Sequence, residues 1–334
     1  MGDGTPRMPP SGTSVRVRVP ASSANLGPGF DSVGVALGVW DEFEVTVTAG
    51  GGLLIEVGGQ GADEVPRDAS HLVHRSLVSG FTQLGLPVPE HLHLRARGAI
   101  PHSRGLGSSA SAIVAGVAAA HGLVAAARDP HADGECLDLD LELVADLSSE
   151  LEGHPDNATA SVHGGLTVSW TLDPGGHRAG RTGTARVAVS PGVTAVVFVP
   201  ATRLATHTAR AVLPSTVAHH EAAQQAGRAA LLALAVTGRP DLLLPATRDW
   251  LHQEQRRSSF PPTMALVDAL RNQGNAAVVS GAGPSVLVLT PASAQAQVVV
   301  PAGSEGGWQR LTPGIPPVGV TVTNLGRGRS TGSR

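Results

Sequence analysis

Val15, Val17 and Val19 alternate with Arg16 and Arg18, a period of two that predicts a strand with one buried face, ended by Pro20. A turn-rich stretch, Ala21 to Asp31, leads into Val33 to Val39 and a second alternating run, Glu42 to Thr48. Gly50 to Gly52 turn the chain into a short strand, Leu53 to Val57, and His91 to Arg97 alternates again. Leu72, Val73, Leu77, Val78 and Phe81 instead recur at helical spacing over His71 to Leu84. Further helices are predicted from the loop after Gly98 to about Ala127, over Leu137 to Leu151, over Thr216 to Val236 and over Thr263 to Gln273. Leu166 to Trp170 reads as a strand, and Ala195 to Val199 as a continuously apolar one. Ala276 to Val279 and Val286 to Leu289 form a strand, turn and strand around Ser280 to Ser285.

Strands and helices mix without the regular alternation of a doubly wound sheet, so the predicted class is α+β with two layers per domain. The Gly- and Arg-rich linker Asp173 to Gly183 places a boundary at about residue 180. It separates a first domain, 14–180, from a second, 181–325, with tails at 1–13 and 326–334 left outside the fold. The run Ala112 to Ala127 is too short for a membrane span and is interrupted by His121 and Gly122, which suits a buried helix.

Composition narrows the chemistry. All 24 basic residues are arginine, which excludes a lysine Schiff base and a phosphate-loop lysine. A net charge near −3 argues against duplex nucleic acid as a partner, and Met1 to Thr13 lacks the apolar core of a secretion signal. The single Cys136 has no internal disulfide partner, which fits a cytoplasmic location.

The most informative segment is Pro101-His102-Ser103-Arg104-Gly105-Leu106-Gly107-Ser108-Ser109-Ala110-Ser111, placed between a strand and a helix. Its glycines let the backbone approach a ligand, the helix start offers unpaired N–H groups and a positive dipole end to phosphate, and Ser108, Ser109 and Ser111 add hydroxyls. Taken alone, the segment is equally a serine-capped helix start. It is neither a Walker loop nor a dinucleotide loop, since the lysine of the first and the third glycine and ribose-binding acid of the second are missing.

Pro101 to Ser111 resembles the Pro-x-x-x-Gly-Leu-Gly-Ser-Ser-Ala signature of the GHMP kinases, the galactokinase, homoserine, mevalonate and phosphomevalonate kinase superfamily. Val19 to Asp31 resembles that family's first motif, and Gly281-Ala-Gly-Pro-Ser285 its third. The order of the three is also the family's, over about Val15 to Leu289. Glu152-Gly-His-Pro-Asp-Asn157, Thr206-His-Thr-Ala-Arg210 and Arg256 resemble the branch that phosphorylates homoserine.

The resemblance implies a ribosomal-S5-like N-terminal domain and a ferredoxin-like C-terminal domain, with ATP and L-homoserine bound between them. It implies that Pro101 to Ser111 cradle ATP, that Ser109 and Glu152 hold Mg2+, and that Arg210 and Arg256 bind the homoserine carboxylate. Asn25, Asp31, His154, Asn157 and Thr206 would complete the substrate site, with Asp31, Glu152 and Ser109 nearest the chemistry. A homodimer is left open. Read as isolated residues, Glu152 is a solvated helix-end acid, and Asn25 and Asp31 cap a Gly-Pro-Gly turn. The chain departs from the family at Ser103, usually glycine, and at His102, often apolar. A mevalonate- or sugar-type kinase and a catalytically silent ligand-binding relative stand as alternatives.

Overall fold

The computed structural model describes residues 7–128, 133–173, 181–202, 211–304 and 307–327. Strand β1, Thr13–Asn25, buries Val15, Val17 and Val19 and turns Arg16 outward to Glu44, 2.7 Å away. It does not stop at Pro20. The missing N–H falls where the register slips, Pro20 pairing with Trp40 and Ala21 with Leu37, so the strand carries on through an irregularity in its partner. That partner, β2, is a single strand, Gly29–Val47, covering two of the predicted runs. The expected turn-rich segment is thus mostly strand, with a tight turn only at residues 26–28.

The first sheet is completed by β3 (Leu53–Gly59), β4 (Leu92–Gly98), β5 (Leu166–Thr171), β6 (Thr182–Val187) and β11 (Thr321–Arg327). Its order is β11-β1-β2-β4-β3, with the β5–β6 hairpin attached to β2; only β3 and β4 are parallel. Helices α1 (Leu72–Gln83), α2 (Ser108–Arg128), α3 (Leu141–Glu152) and α4 (Pro155–His163) contribute to the core on one face. Helix α2 is long and apolar enough to cross a membrane, but 83% of its apolar stretch is buried against β1 and its helical neighbours, as a core helix is. Gly116 makes this closeness achievable: a Cβ there would meet the backbone oxygen of Val73 in α1.

The second sheet, in the order β10-β7-β9-β8, holds β7 (Val193–Val199), β8 (Ala276–Val279), β9 (Val286–Pro291) and β10 (Gln309–Leu311). Strands β7, β8 and β9 are largely apolar because both faces are covered, whereas the edge strand β10 carries Gln309 and Arg310. Ala195 and Val197 face a cluster containing Leu232 and Val236 of α5 (His219–Gly238), while Val196 and Phe198 face Met264 and Leu270 of α7 (Pro261–Asn272). A short α6, Leu243–Ala246, lies between them in sequence. The first of these clusters also takes in Ala21, Leu37 and Leu106, so one core runs on from the second sheet to the tip of β1 and β2.

The α+β class agrees with the expectation, but the expected boundary at 180/181 does not fit this topology. β6 follows that point and still pairs with β5, and β11 returns from the chain's end to pair with β1. Gly326 and Arg327, expected in a tail, lie in β11, where the Gly326 N–H donates to Asn324 Oδ1. Thr13, also expected in a tail, begins β1. Helix α4 was not expected from the pattern: Ala158 to Val162 are all buried, so the segment has no polar face to reveal a period.

Candidate active site

Five segments meet at one cleft among the described residues: the β1–β2 turn, the loop into α2, the α3–α4 junction, the β8–β9 turn and the chain from Asp249 to Arg256. The cleft opens to solvent and is lined by Asn25, Gly105, Ser109, Glu152, Arg256 and Gly281, among others.

The loop into α2 is bent by left-handed residues, Ser103 (φ 54°), Gly105 (φ 71°) and Gly107 (φ 70°). The first of these is where the family usually has glycine, which accepts that conformation without strain. Arg104 anchors the loop to the end of β7, donating from Nε to the Pro200 oxygen (2.9 Å) and from Nη2 to that of Ala201 (2.8 Å). Ser280 Oγ donates to the Gly105 oxygen (2.6 Å), joining the loop to the β8–β9 turn.

Ser109 is exposed at the start of α2, and its hydroxyl donates to Glu152 Oε1 at 2.6 Å. Glu152 is the last residue of α3, ended by Gly153 at φ 83°, and no basic residue occupies the last helical turn. A carboxylate is unfavourable at the negative end of a helix dipole, so helix stability does not account for it. Ser111 departs from expectation. It is fully buried and donates to Asp41 Oδ2 (3.1 Å), so its hydroxyl braces the loop rather than lining the cleft. Asp41 also accepts from the N–H groups of Ala99 and Ile100, and burial pushes its carboxyl above the usual range.

At the α3–α4 junction, His154 Nδ1 lies 2.9 Å from Asp156 Oδ1, and Asn157 Oδ1 accepts from Ser22 Oγ. Asn25, in the left-handed region at φ 70°, donates to the Gly281 oxygen and accepts from the Asp31 N–H, each at 3.0 Å. Both its polar atoms are thus engaged in holding two motifs together. Asp31 is not among the residues lining the cleft; it lies beyond Asn25, its charge felt by His252. Arg256 does line the cleft, although it is only 1% exposed. Thr206 and Arg210 fall outside the described residues.

Family models for the GHMP kinases N terminal domain and the GHMP kinases C terminal region match residues 71–165 and 221–305. The chain is 46% identical to the homoserine kinase of Streptomyces coelicolor over 318 residues, covering 95% of this chain and 97% of that one. It is 50% identical to that of Rhodococcus erythropolis over 282 residues, or 84% and 87% of the two chains. The chain belongs to the homoserine kinases of the GHMP family. The homoserine kinase from Cytophaga hutchinsonii, at 23% identity, shares its fold with a TM-score of 0.78 over 92% of this chain and 97% of that one. So does the phosphomevalonate kinase of Streptococcus pneumoniae, with 13% identity, a TM-score of 0.59 and 85% and 94% of the chains covered.

Sequence reasoning did not single out several residues that build this homoserine kinase cleft. Asp156, Gly281 and Ala282 lie within the family motifs, but residue type and spacing alone give them no role. Asp249 and His252, buried behind Arg256, went unnoticed, although the spacing Asp249-x-x-His252-x-x-x-Arg256 places polar residues on successive turns.

Proposed function

We infer that this member of the homoserine kinases transfers the γ-phosphoryl group of ATP to the side-chain hydroxyl of L-homoserine, giving O-phospho-L-homoserine on the route from aspartate to threonine. The observation that carries the reading is the 2.6 Å contact between Ser109 and Glu152 at the start of α2. It sets two hard oxygen donors beside the first-turn N–H groups of a helix, which have no partners within it.

Residues Pro101 to Ser109 form the triphosphate cradle, with the helix start facing the phosphate oxygens. Magnesium suits the Ser109 and Glu152 oxygens, and when bound it neutralises charge on the phosphates. Arg256 receives the homoserine carboxylate, a role the family resemblance also gives to Arg210, with Thr206 in the same substrate site; a guanidinium fork matches a carboxylate in two places. His154 is oriented by Asp156, which accepts from Nδ1–H and leaves Nε2 as an acceptor for the homoserine ammonium. Asn157 closes the same wall, and Asn25 holds the turn that supports it. Asp31, which adjoins the lining through its N–H bond to Asn25 Oδ1, is the residue assigned to keep the hydroxyl in line. A loose phosphoryl-transfer transition state needs little bonding to the nucleophile, so placement suffices without early proton removal.

The test is ADP release measured by a coupled assay with magnesium and ATP over homoserine, mevalonate and galactose. Release that depends on homoserine alone is expected. Release with mevalonate or galactose and none with homoserine overturns the assignment.

A further inference from the structure

Arg256 is one of the largest fully buried side chains in the protein, and a buried guanidinium needs partners that also fix its direction. One of them is His252, four residues earlier in the same non-helical turn and 0% exposed. His252 Nε2 lies 2.9 Å from the Gly27 carbonyl oxygen in the β1–β2 turn, and Nδ1 lies 3.2 Å from Arg256 Nη1. A carbonyl only accepts and a guanidinium only donates, so the network permits one arrangement: Nε2 carries the proton and Nδ1 presents its lone pair. Burial depresses the imidazole's pKa in the same sense, against the opposing pull of Asp249 and Asp31.

The ring is fixed from several directions. Phe30 stacks on His252 at 5.2 Å between centroids and lies under the Arg256 guanidinium at 5.7 Å. Asp249 accepts from the N–H groups of Leu251, His252 and Gln253, closing the turn that carries the imidazole. Gln225 of α5 then ties Asp249 to the Pro28 oxygen, each at 2.9 Å. The turn that bears Arg256 is therefore referenced to the β1–β2 turn, the same segment that carries Asn25 and Asp31.

We propose that His252, as a neutral Nε2–H imidazole, is a positioning residue that aims the Arg256 guanidinium at the amino-acid end of the cleft. The proposal rests on Arg256 being the carboxylate-binding group. His252 itself touches neither substrate; it converts the position of the β1–β2 turn into the direction of the guanidinium.

Two variants separate its two hydrogen bonds. His252→Gln keeps a donor for Gly27 but removes the acceptor for Arg256, whereas His252→Asn keeps an amide oxygen near the Nδ1 position. Losing a hydrogen bond to a charged group corresponds to roughly ten- to hundredfold, so KM for homoserine should rise by that factor in His252→Gln, with KM for ATP within about twofold of the parent. In His252→Asn most of that rise should be absent. Equal rises in both variants, or a rise shared by ATP, would overturn the proposal. Should neither variant fold, 15N NMR of the imidazole in the parent protein decides: a protonated Nε2 and bare Nδ1 support it, and a protonated Nδ1 refutes it. If Arg256→Ala leaves KM for homoserine unchanged, the placement of the substrate has failed instead; if Arg256→Ala raises it and His252→Gln does not, only the role of His252 has failed.

Discussion

The loop at 101–111 and the turn at 249–256 both contribute to the cleft and are built in opposite ways. The loop takes its shape locally, since left-handed residues bend it, a helix begins at once and neighbours in sequence are neighbours at the site, although Arg104, Gly105 and Ser111 also tie it to distant segments. The turn is long-range, its Asp249 held by Gln225 and its His252 by Gly27, 225 residues away. An anion site can be made of backbone N–H groups and glycines, so it leaves a contiguous signature. Fixing a buried charge takes side chains contributed by distant segments, and this leaves only scattered polar residues.

If that contrast holds, damage at the loop should alter transfer and nucleotide handling, while damage at the turn should alter recognition of the amino acid. The largest effect is expected for Glu152→Gln, with kcat lowered by about 10²–10³-fold and metal-free nucleotide binding nearly unchanged. Turnover at saturating magnesium beside ADP titration in chelator checks it, and an unchanged kcat removes Glu152 from the site. Gly105→Ala places a Cβ against the Ser280 oxygen at a left-handed φ, with a destabilisation of roughly 1–3 kcal/mol and a raised KM for ATP. Chemical denaturation and ATP saturation curves measure the two consequences.

Asp31→Asn keeps shape and an acceptor, so kcat should fall only about tenfold, below the 10²–10⁴ typical of losing a general base. Near-total loss, with disappearance of an acidic limb in the pH profile, would make Asp31 the base. The smallest effect concerns Asp41 beneath the loop. Because burial raises its pKa, the folded protein holds that proton more tightly than the unfolded chain. Its stability contribution is fully present below the unfolded value near 3.9 and is lost as pH rises through the raised one. Relative to Asp41→Asn, the parent's melting temperature should therefore decline from about pH 4 upward.

Much of this was legible in the sequence, for identifiable reasons. The period of two in β1 and the helical spacing of α1 arise because one face of each is buried, and β7 reads as continuous because both faces are. Ser109 and Glu152 were paired through the family resemblance, and the structure brings them into contact. Helix α4 was missed because burial all round erases its period, and the place of β11 because nothing local in Thr321 to Arg327 specifies pairing with β1. Ser111 was misread for a related cause: the pattern located a hydroxyl near the helix start but not the buried Asp41 that claims it.

If the loop serves ATP and the turn serves the amino acid, Arg256→Ala should separate the two substrates. Initial rates should be measured over full ranges of ATP and homoserine, with saturating magnesium, for parent and variant. Removing the partner of a desolvated charge typically costs about 2–5 kcal/mol, so KM for homoserine should rise by tens of fold or more while KM for ATP stays within about twofold. A variant that weakens ATP and leaves homoserine unaffected would contradict the account.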